Sequence, residues 1–308
     1  MRTIKGWTEV QAADRGASVA MGNFDGVHLG HRSVIDLARR ADAPLGVITF
    51  EPHPRSYFAP DSPPFRLMNA EARANRLKKL GVELLYELPF DDRIAALTPD
   101  LFARDVLARG LGVRHVVVGA DFRFGKDRAG TADTLRPLAD ELEFEVTVAP
   151  IVEGPNGIFS SSAIRRALSE GRPRDAKAML GHWHRIDGIV EHGEKRGREL
   201  GFPTLNLSME ELHLPRFGVY AVCVDVLDGP HAGAHEGVAS LGVRPQFGDH
   251  APNLETYLFD FTGDLYGRHI SVGLVEFLRP EARFDDVDAL IVQMRKDCDA
   301  ARVALRQR

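Results

Sequence analysis

Two histidines stand three positions apart in the stretch Gly22–His31, which reads GNFDGVHLGH. This stretch follows the apolar run Ser18–Met21 and precedes residues with helical spacing, so it marks a strand-to-helix turn. Glycines at such a turn let the backbone approach phosphate oxygens, and the helix start offers unpaired N–H groups. His28 and His31 can face the same way and donate hydrogen bonds to a charged phosphate bridge. The pattern indicates a nucleotide-phosphate site; for HxGH alone, a glycine-rich turn with surface histidines is the alternative.

A second polar stretch, Phe159–Arg165, reads FSSSAIR. Its serines are suited to cap a helix, which Gly171 would end before Pro173 starts the next helix. Hydroxyls at a helix start, with an arginine one turn on, fit a second clamp for polyphosphate. The alternative is an ordinary serine cap with a solvated arginine.

A third stretch, residues 188–207, reads GIVEHGEKRGRELGFPTLNL. Its glycines and its basic residues indicate a flap that closes over phosphates. Thr204 and Asn206 point to one face if the chain is extended, and their uncharged oxygens suit Mg²⁺ when the nucleotide supplies the negative charge. A proline turn followed by a Thr/Asn pair is the alternative. Glu255 lies in an alternating stretch with Tyr257 and Phe259 on its own face, so periodicity alone does not identify it as catalytic.

Up to about residue 150, short apolar runs alternate with segments of helical spacing. Such alternation predicts a parallel, doubly wound α/β sheet, which binds ligands at the carboxyl ends of its strands. The unusual residues follow those ends: GNFDGVHLGH comes after the first run, Glu51–Pro54 after the second and Gly119–Gly125 after the fourth. The predicted strands are Ser18–Met21, Leu45–Phe50, Leu84–Leu88, His115–Val118 and Phe144–Val148, and the predicted helices are His31–Ala41, Ala70–Leu80, Pro99–Arg109 and Thr131–Glu141.

After residue 185 the pattern changes to short strands separated by glycines, which predicts an antiparallel sheet or a small barrel. A final helix over Asp286–Leu305 carries apolar residues at the spacing of a core face, namely Val287, Leu290, Ile291 and Met294. We place the domain boundary near 182–186. The predicted strands are Ile186–Glu191, Gly218–Leu227, Gly237–Val243, Leu254–Phe261 and Ile270–Phe277.

The composition limits the classes of protein to which the chain can belong. A chain of 308 residues exceeds what one hydrophobic core usually supports, and 44% apolar with 27% charged residues is typical of a soluble globular protein. The net charge of −5 disfavours nucleic acid and anionic membranes as partners. The two cysteines, Cys223 and Cys298, indicate no disulfide framework. Without a secretory core or a membrane-length apolar run, we expect a cytoplasmic protein, monomeric or weakly homo-oligomeric.

Taken together, GNFDGVHLGH, GADFRFG and SSSAIR resemble, in this order, the adenylyltransferase module of the prokaryotic bifunctional riboflavin kinase/FAD synthetases, a branch of the HxGH nucleotidyltransferases. The resemblance implies a Rossmann-like α/β domain over residues 1–184 that transfers AMP from ATP to FMN, giving FAD and pyrophosphate. It implies that His28 and His31 stabilise the transition state at the ATP phosphates without a covalent intermediate. The implied nucleotide-binding residues are Gly22, Phe24, Asp25, Asp121, Ser161, Ser162 and Arg165, and the implied flavin-side aromatics are Phe58, Phe122 and Phe124.

The stretches GRELGFPTLN, LGVRP and DFTGDLYG resemble the riboflavin kinase module of the same family. This implies a six-stranded antiparallel β-barrel with a C-terminal helix over residues 185–308, phosphorylating riboflavin to FMN with ATP and Mg²⁺. By the resemblance, Thr204 and Asn206 hold Mg²⁺–ATP, and Glu255 deprotonates the ribityl 5′-hydroxyl. Arg279 is implied on the flavin side. The implied nucleotide-binding residues of this half are Gly193, Arg198 and Gly201.

Four residues depart from the family's usual pattern: Ser162 replaces threonine, Ala163 arginine, Leu205 alanine and Gln246 threonine. Because Leu205 lies between the two implied metal ligands, its side chain should point away from them. Leu205 and Gln246 motivate an alternative function, an FMN adenylyltransferase whose barrel binds flavin but is impaired as a kinase. A non-catalytic flavin sensor is a further alternative, and it would bind flavin without releasing ADP or pyrophosphate.

Overall fold

The computed structural model describes residues 1–154, 157–192, 200–243 and 251–308. The chain divides into two compact units, the first formed by Met1–Ser62 with Arg73–Phe159 and the second by Pro63–Ala72 with Ser160–Arg308. This division rests on packing alone. The functional domains 1–184 and 185–308 remain a prediction about which part of the chain performs which reaction.

The first unit contains a six-stranded, all-parallel sheet with helices between its strands, which confirms the predicted α/β class. The strand order is β1-β4-β3-β2-β5-β6. The strands are β1 (Arg2–Lys5), β2 (Ser18–Met21), β3 (Leu45–Glu51), β4 (Leu84–Pro89), β5 (His115–Gly119) and β6 (Glu145–Ala149). The helices of residues 1–150 are α1 (Leu29–Leu37), α2 (Pro54–Phe58), α3 (Ala70–Lys79), α4 (Asp92–Ala95), α5 (Pro99–Leu101), which continues as a π-helix over Phe102–Leu111, and α6 (Ala132–Glu141).

Strand β1 was not predicted from the sequence. It forms the edge of the sheet and pairs in parallel with β4, and only Ile4 among its four residues is partly buried. An edge strand this short and polar has no apolar run by which sequence patterning could detect it. The backbone pairing with β4 therefore determines its conformation.

A buried ion cluster joins α3 to two strands of the first unit. The Arg73 side chain is 1% exposed, and its Nη2 lies 2.9 Å from a Glu51 carboxylate oxygen and 3.2 Å from a Glu87 one. Glu51 is the last residue of β3, directly before the Pro52–Pro54 turn. A buried guanidinium with two carboxylates fixes the distance between this helix and the carboxyl ends of both strands.

We predict that Arg73→Met lowers the free energy of unfolding by about 3–5 kcal/mol, because it leaves two partly buried carboxylates without their shared cation. Urea unfolding followed by circular dichroism measures the loss. Arg109→Met is the matched control, since Arg109 is 71% exposed in an i,i+4 pair with Asp105. That control should cost at most about 1 kcal/mol. An equally small loss for Arg73→Met would contradict the buried role of the cluster.

The second unit contains a six-stranded antiparallel sheet that curls into a barrel, as the sequence predicts. The strand order is β10-β13-β12-β11-β14-β9, and a bridge from the Glu191 N–H to the Asn206 carbonyl, at 3.0 Å, joins its two edges. Apolar side chains from all six strands fill the interior. The strands are β9 (His184–Ile189), β10 (Thr204–Ser208), β11 (Gly218–Val226), β12 (Gly233–Val243), β13 (Pro252–Leu258) and β14 (His269–Arg279), preceded in the chain by the two-residue strands β7 (Glu153–Gly154) and β8 (Gly157–Ile158).

Among its described residues from Ser160 onward, the second unit also contains the helices α7 (Ser161–Ser169), α8 (Pro173–Leu180) and α9 (Val287–Arg306). The predicted start and end of α7 and the predicted start of α8 are confirmed. The Ser160 hydroxyl accepts from the Ala163 N–H at 3.2 Å, Gly171 has φ +74°, and Pro173 is the first residue of α8. Among the described residues, no helix has the length and apolar character needed to cross a membrane.

The predicted core face of the final helix is partly wrong. Val287 is 55% exposed, and Leu290, Ile291 and Met294 are only half-buried. The buried positions of α9 lie nearer its C-terminus, where the helix packs against the outer face of the barrel. They are Asp297, Ala301, Ala304 and Leu305. Spacing alone identified an apolar stripe, but the fully buried residues of α9 all lie in the second half of the helix.

Candidate active sites

The turn after β2 is built around buried side chains. Phe24 is 1% exposed although its φ is +52°, and Asp25 is also buried. Gly22 continues the pairing of β2, since its N–H donates to the Ile48 carbonyl at 3.1 Å. A turn with a positive φ at a buried phenylalanine is held by its packing and not by local preference. These three predicted nucleotide-site residues therefore lie together at the carboxyl end of β2.

The two histidines of this turn are stacked, with ring centroids 3.6 Å apart and an interplanar angle of 19°. His28 is the N-cap of α1, and its Nδ1 accepts from the His31 N–H at 3.2 Å. A side chain at Gly30 would meet the His28 ring at 3.1 Å, so glycine permits this close approach. His31 Nδ1 is buried and has no hydrogen-bond partner among the described residues. The site thus combines a helix N-terminus with an imidazole nitrogen that no described protein atom satisfies.

The pKa of His31 lies well below its ordinary value of 6.5, first because the ring is buried and second because a charge on His28 would repel its own. His31 is therefore neutral at pH 7 in the ligand-free protein. An anion beside the ring would oppose both causes, since negative charge stabilises the imidazolium. The pair is thus suited to receive a polyphosphate.

Aromatic side chains gather at the same edge of the sheet. Phe58, on α2, is 67% exposed and contacts Phe90 with ring centroids 5.6 Å apart. Phe122 follows β5, is half-buried and stacks on Phe124 at 5.9 Å, whereas Phe124 itself is 6% exposed in the core of the unit. Asp121 is exposed beside them. Of the three predicted flavin-side rings, Phe58 is exposed and Phe122 partly exposed, whereas Phe124 is buried beneath Phe122.

The serine helix α7 belongs to the second unit. The Arg165 Nη2 donates to the Ser162 hydroxyl at 3.2 Å, so these two predicted phosphate ligands lie together one turn apart. Ser161 is half-buried at the first position of the helix. Whether these residues share a ligand with His28 and His31 remains a prediction.

The outer face of the barrel carries the second constellation. In the β10–β13 ladder Asn206 pairs with Glu255 and Thr204 pairs with Tyr257, so these side chains share one face. Leu205 packs on the opposite face against the barrel interior, which confirms that it points away from the predicted ligands. The face also contains a residue that sequence reasoning missed, Asn253.

Asn253 connects the two central residues of this face. Its buried side-chain amide donates to Asn206 Oδ1 at 2.9 Å and to a Glu255 carboxylate oxygen at 3.4 Å. These bonds orient the Asn206 carbonyl oxygen and hold the carboxylate beside it. The signal was present in the sequence, because Asn253 stands two residues before Glu255 and thus shares its face.

Arg279, predicted on the flavin side, is engaged in a bidentate ion pair. Its Nε and Nη2 lie 2.8 and 2.7 Å from the two carboxylate oxygens of Asp297, which also accepts from Gln293. Because Asp297 is a buried residue of α9, the pair joins this helix to the end of β14. Gly201 is exposed, with φ +84°, and Gly193, Arg198 and Gln246 lie outside the described residues.

Two family models cover nearly the whole chain. The model described as FAD synthetase matches residues 10–163, and the model described as riboflavin kinase matches residues 180–305. The bifunctional riboflavin kinase/FMN adenylyltransferase of Pseudomonas fluorescens is 39% identical over 98% of this chain and 97% of its own length. The enzyme of the same name from Escherichia coli K12 is 39% identical over 96% of each chain. The chain belongs to the bifunctional riboflavin kinase/FMN adenylyltransferase family.

The predicted function is therefore confirmed: the chain is a riboflavin kinase and an FAD synthetase. The alternative of a kinase-impaired barrel is not favoured, since the riboflavin kinase model matches the entire barrel half. The fold has a solved counterpart, a crystal structure described as a macrolide-efflux protein from Streptococcus pneumoniae. That structure superimposes with a TM-score of 0.84 at 32% identity, covering 97% of this chain and 98% of that one.

We predict that Asn253→Ala lowers the kinase turnover about tenfold while leaving adenylyl transfer within about twofold, because one amide orients both Asn206 and Glu255. Separating FMN from FAD by chromatography measures both rates in one sample. Ser208→Ala is the matched control, since Ser208 pairs with Asn253 in the ladder but is exposed. An unchanged kinase rate in Asn253→Ala would show that the amide does not position this site.

Proposed function

We propose that the two reactions take place at the two constellations described above, with residues 1–184 performing adenylyl transfer and residues 185–308 performing the kinase step. The supporting observation is that each constellation is assembled from different elements. The stacked histidines lie at the start of α1, and Asn206 and Glu255 lie on β10 and β13 of the barrel. The product of the kinase step, FMN, is then the substrate of the second step.

In adenylyl transfer, the FMN phosphate attacks the α-phosphorus of ATP, and the bond to the β-phosphate oxygen breaks. His28 and His31 donate hydrogen bonds to the phosphate oxygens on which charge accumulates, together with the unpaired N–H groups of α1. Ser161, Ser162 and Arg165 bind the outer phosphates that leave as pyrophosphate. Gly22, Phe24, Asp25 and Asp121 shape the nucleotide pocket, and Phe58 and Phe122 contact the flavin.

In the kinase step, Glu255 accepts the proton of the ribityl 5′-hydroxyl as that oxygen attacks the γ-phosphorus of ATP. Thr204 and Asn206 would hold Mg²⁺, whose contribution when bound is to neutralise phosphate charge. The donor set fits this ion, because a hydroxyl, an amide oxygen and a neighbouring carboxylate are hard oxygen ligands on one face. The bonds from Asn253 keep the amide oxygen of Asn206 directed toward that face.

We further propose that the protein acts in the cytoplasm on small molecules only, as a monomer or a weak homo-oligomer. Both cysteines are unpaired in the structure, which suits a reducing compartment. The acidic net charge of −5 disfavours nucleic acid and anionic membranes. Sedimentation velocity at several protein concentrations tests the oligomeric state.

We predict that His28→Ala suppresses FAD formation by about 10²–10³-fold while FMN formation persists, because a donor to the developing phosphate charge is lost. Glu255→Ala should do the reverse, lowering FMN formation by about 10²–10⁴-fold through loss of the general base. The assays supply riboflavin with ATP for the first step and FMN with ATP for the second.

In each variant, the activity that the substitution should leave intact shows that the chain is folded. Glu236→Ala is the matched control for Glu255→Ala, because Glu236 lies on the adjacent strand β12 and ion-pairs with Arg308 at 3.1 Å. It should preserve both activities. If His28→Ala or Glu255→Ala abolished both activities in a folded chain, the assignment of the two steps to separate constellations would be overturned.

A further inference from the structure

The helix that carries the proposed adenylyl-transfer clamp is packed with the kinase barrel. Helix α7 belongs to the second unit, and its C-terminal half is attached to residues 212–216, in the connection between β10 and β11. We call residues 212–216 the β10–β11 connection. Because this connection leads into a barrel strand, the position of α7 depends on residues that the kinase half contributes.

Two residues of the β10–β11 connection bind α7 directly. The Arg216 N–H donates to the Leu168 carbonyl at 2.9 Å, and the same carbonyl accepts from the Gly171 N–H at 3.0 Å. The His213 Nε2 lies 3.0 Å from the Arg165 carbonyl and 3.1 Å from the Ser169 hydroxyl. The imidazole therefore contacts two successive turns of the helix.

The protonation state of His213 follows from these partners. A carbonyl oxygen can only accept, so the Nε2 must carry the proton. Burial of the ring lowers the pKa of His213 below 6.5, although the bond to the Arg165 carbonyl partly opposes this. His213 is therefore a neutral donor at pH 7, and it holds the backbone of Arg165 through one directed hydrogen bond.

The guanidinium of Arg165 is held through the same connection. Its Nη1 lies 3.4 Å from the Phe65 carbonyl, and its central carbon lies 5.8 Å from the centre of the Phe65 ring. The next residue, Arg66, accepts from the His213 N–H at 2.8 Å and forms a parallel bridge with Leu212. His213 thus contacts the backbone of Arg165 with its side chain, and with its own backbone it holds the segment on which the guanidinium rests.

The geometry points to His213 as a positioning residue for adenylyl transfer, although it lies in the kinase half of the chain. It sets the place of Arg165, and through Ser169 the neighbouring turn, so that Arg165 and Ser162 present one fixed array to the outer phosphates of ATP. This inference rests on the proposed role of Arg165. It assigns to the barrel half a second task besides its own reaction.

Selectivity distinguishes this role from simple support of the fold. His213 belongs to the same unit as Asn206 and Glu255, so a general loss of structure would damage the kinase step first. A positioning role predicts the opposite. Adenylyl transfer should fall while the kinase step remains intact, because the hydrogen bonds of His213 go to α7 and to Arg66.

The experiment compares four variants of the full chain in both assays, with ATP as the varied substrate. His213→Ala should raise the KM for ATP in adenylyl transfer and lower kcat/KM about tenfold, while the kinase parameters stay within about twofold. His213→Gln should restore most of the loss, because its amide nitrogen reaches about as far as Nε2. Arg165→Ala should show the larger defect. The double variant should equal Arg165→Ala alone, because His213 acts through Arg165.

His235→Ala is the matched control, since His235 is another histidine of this unit whose Nε2 lies 3.4 Å from a backbone carbonyl, that of His231. It should leave both reactions unchanged. If Arg165→Ala leaves adenylyl transfer intact, the proposed role of Arg165 fails, and this inference with it. If Arg165→Ala impairs that reaction and His213→Ala does not, only the inference is overturned. Equal losses of both reactions in His213→Ala would also overturn it, by showing a purely structural role.

Discussion

The antiparallel register between β10 and β13 is the constraint on which the kinase constellation depends. Opposite residues in such a ladder point to the same side, and alternate residues point to opposite sides. The observed register pairs Asn206 with Glu255, and it directs Leu205 into the apolar interior. If β13 shifted by one residue, its two faces would exchange. Glu255 would then be buried among apolar side chains, and core residues of that strand would be exposed. The apolar packing of the interior therefore fixes the register that keeps Asn206 and Glu255 together on the outer face.

The first unit holds two imidazoles in contact at the start of a helix. Parallel strands place their carboxyl ends at one edge, so the turn after β2 and the aromatic residues near β3, β4 and β5 converge there. The helix supplies open N–H groups, and the absence of a side chain at Gly30 leaves room for the His28 ring. Burial then keeps His31 neutral until an anion compensates it. The resulting arrangement places a neutral imidazole at a helix N-terminus, and these two features suit the anion that we propose as its ligand.

The packing units and the family models divide the chain at different residues. The FAD synthetase model extends to residue 163, whereas the second packing unit already begins at Ser160 and includes all of α7. Under the proposed assignment, α7 serves adenylyl transfer and belongs to the unit that performs the kinase step. In a bifunctional chain, such sharing makes one half depend on the other without any transfer of substrate between them. This dependence would act through the hydrogen bonds that His213 and Arg216 form with α7.

Residues whose roles follow from local spacing were accessible to sequence reasoning. Alternation placed Thr204 and Asn206 on one face, and the strand–turn–helix order placed His28 and His31 at a helix N-terminus. Contacts with partners that are distant in the sequence were harder to predict from the sequence. The ion pair of Arg279 with Asp297, eighteen positions later in the chain, is one example, and the place of Arg279 on the flavin side stays a prediction.

The sequence by itself determined the two fold classes and their order, and it identified candidate residues for both sites, because periodicity and motif order are local properties of the chain. Tertiary structure decided which side chains are partners. It brought Asn253 to both Asn206 and Glu255, set His213 against Arg165 forty-eight positions away, and added the edge strand β1. The physical reason is that a hydrogen bond depends on the distance between two groups in space, and the sequence separation of those groups does not report that distance.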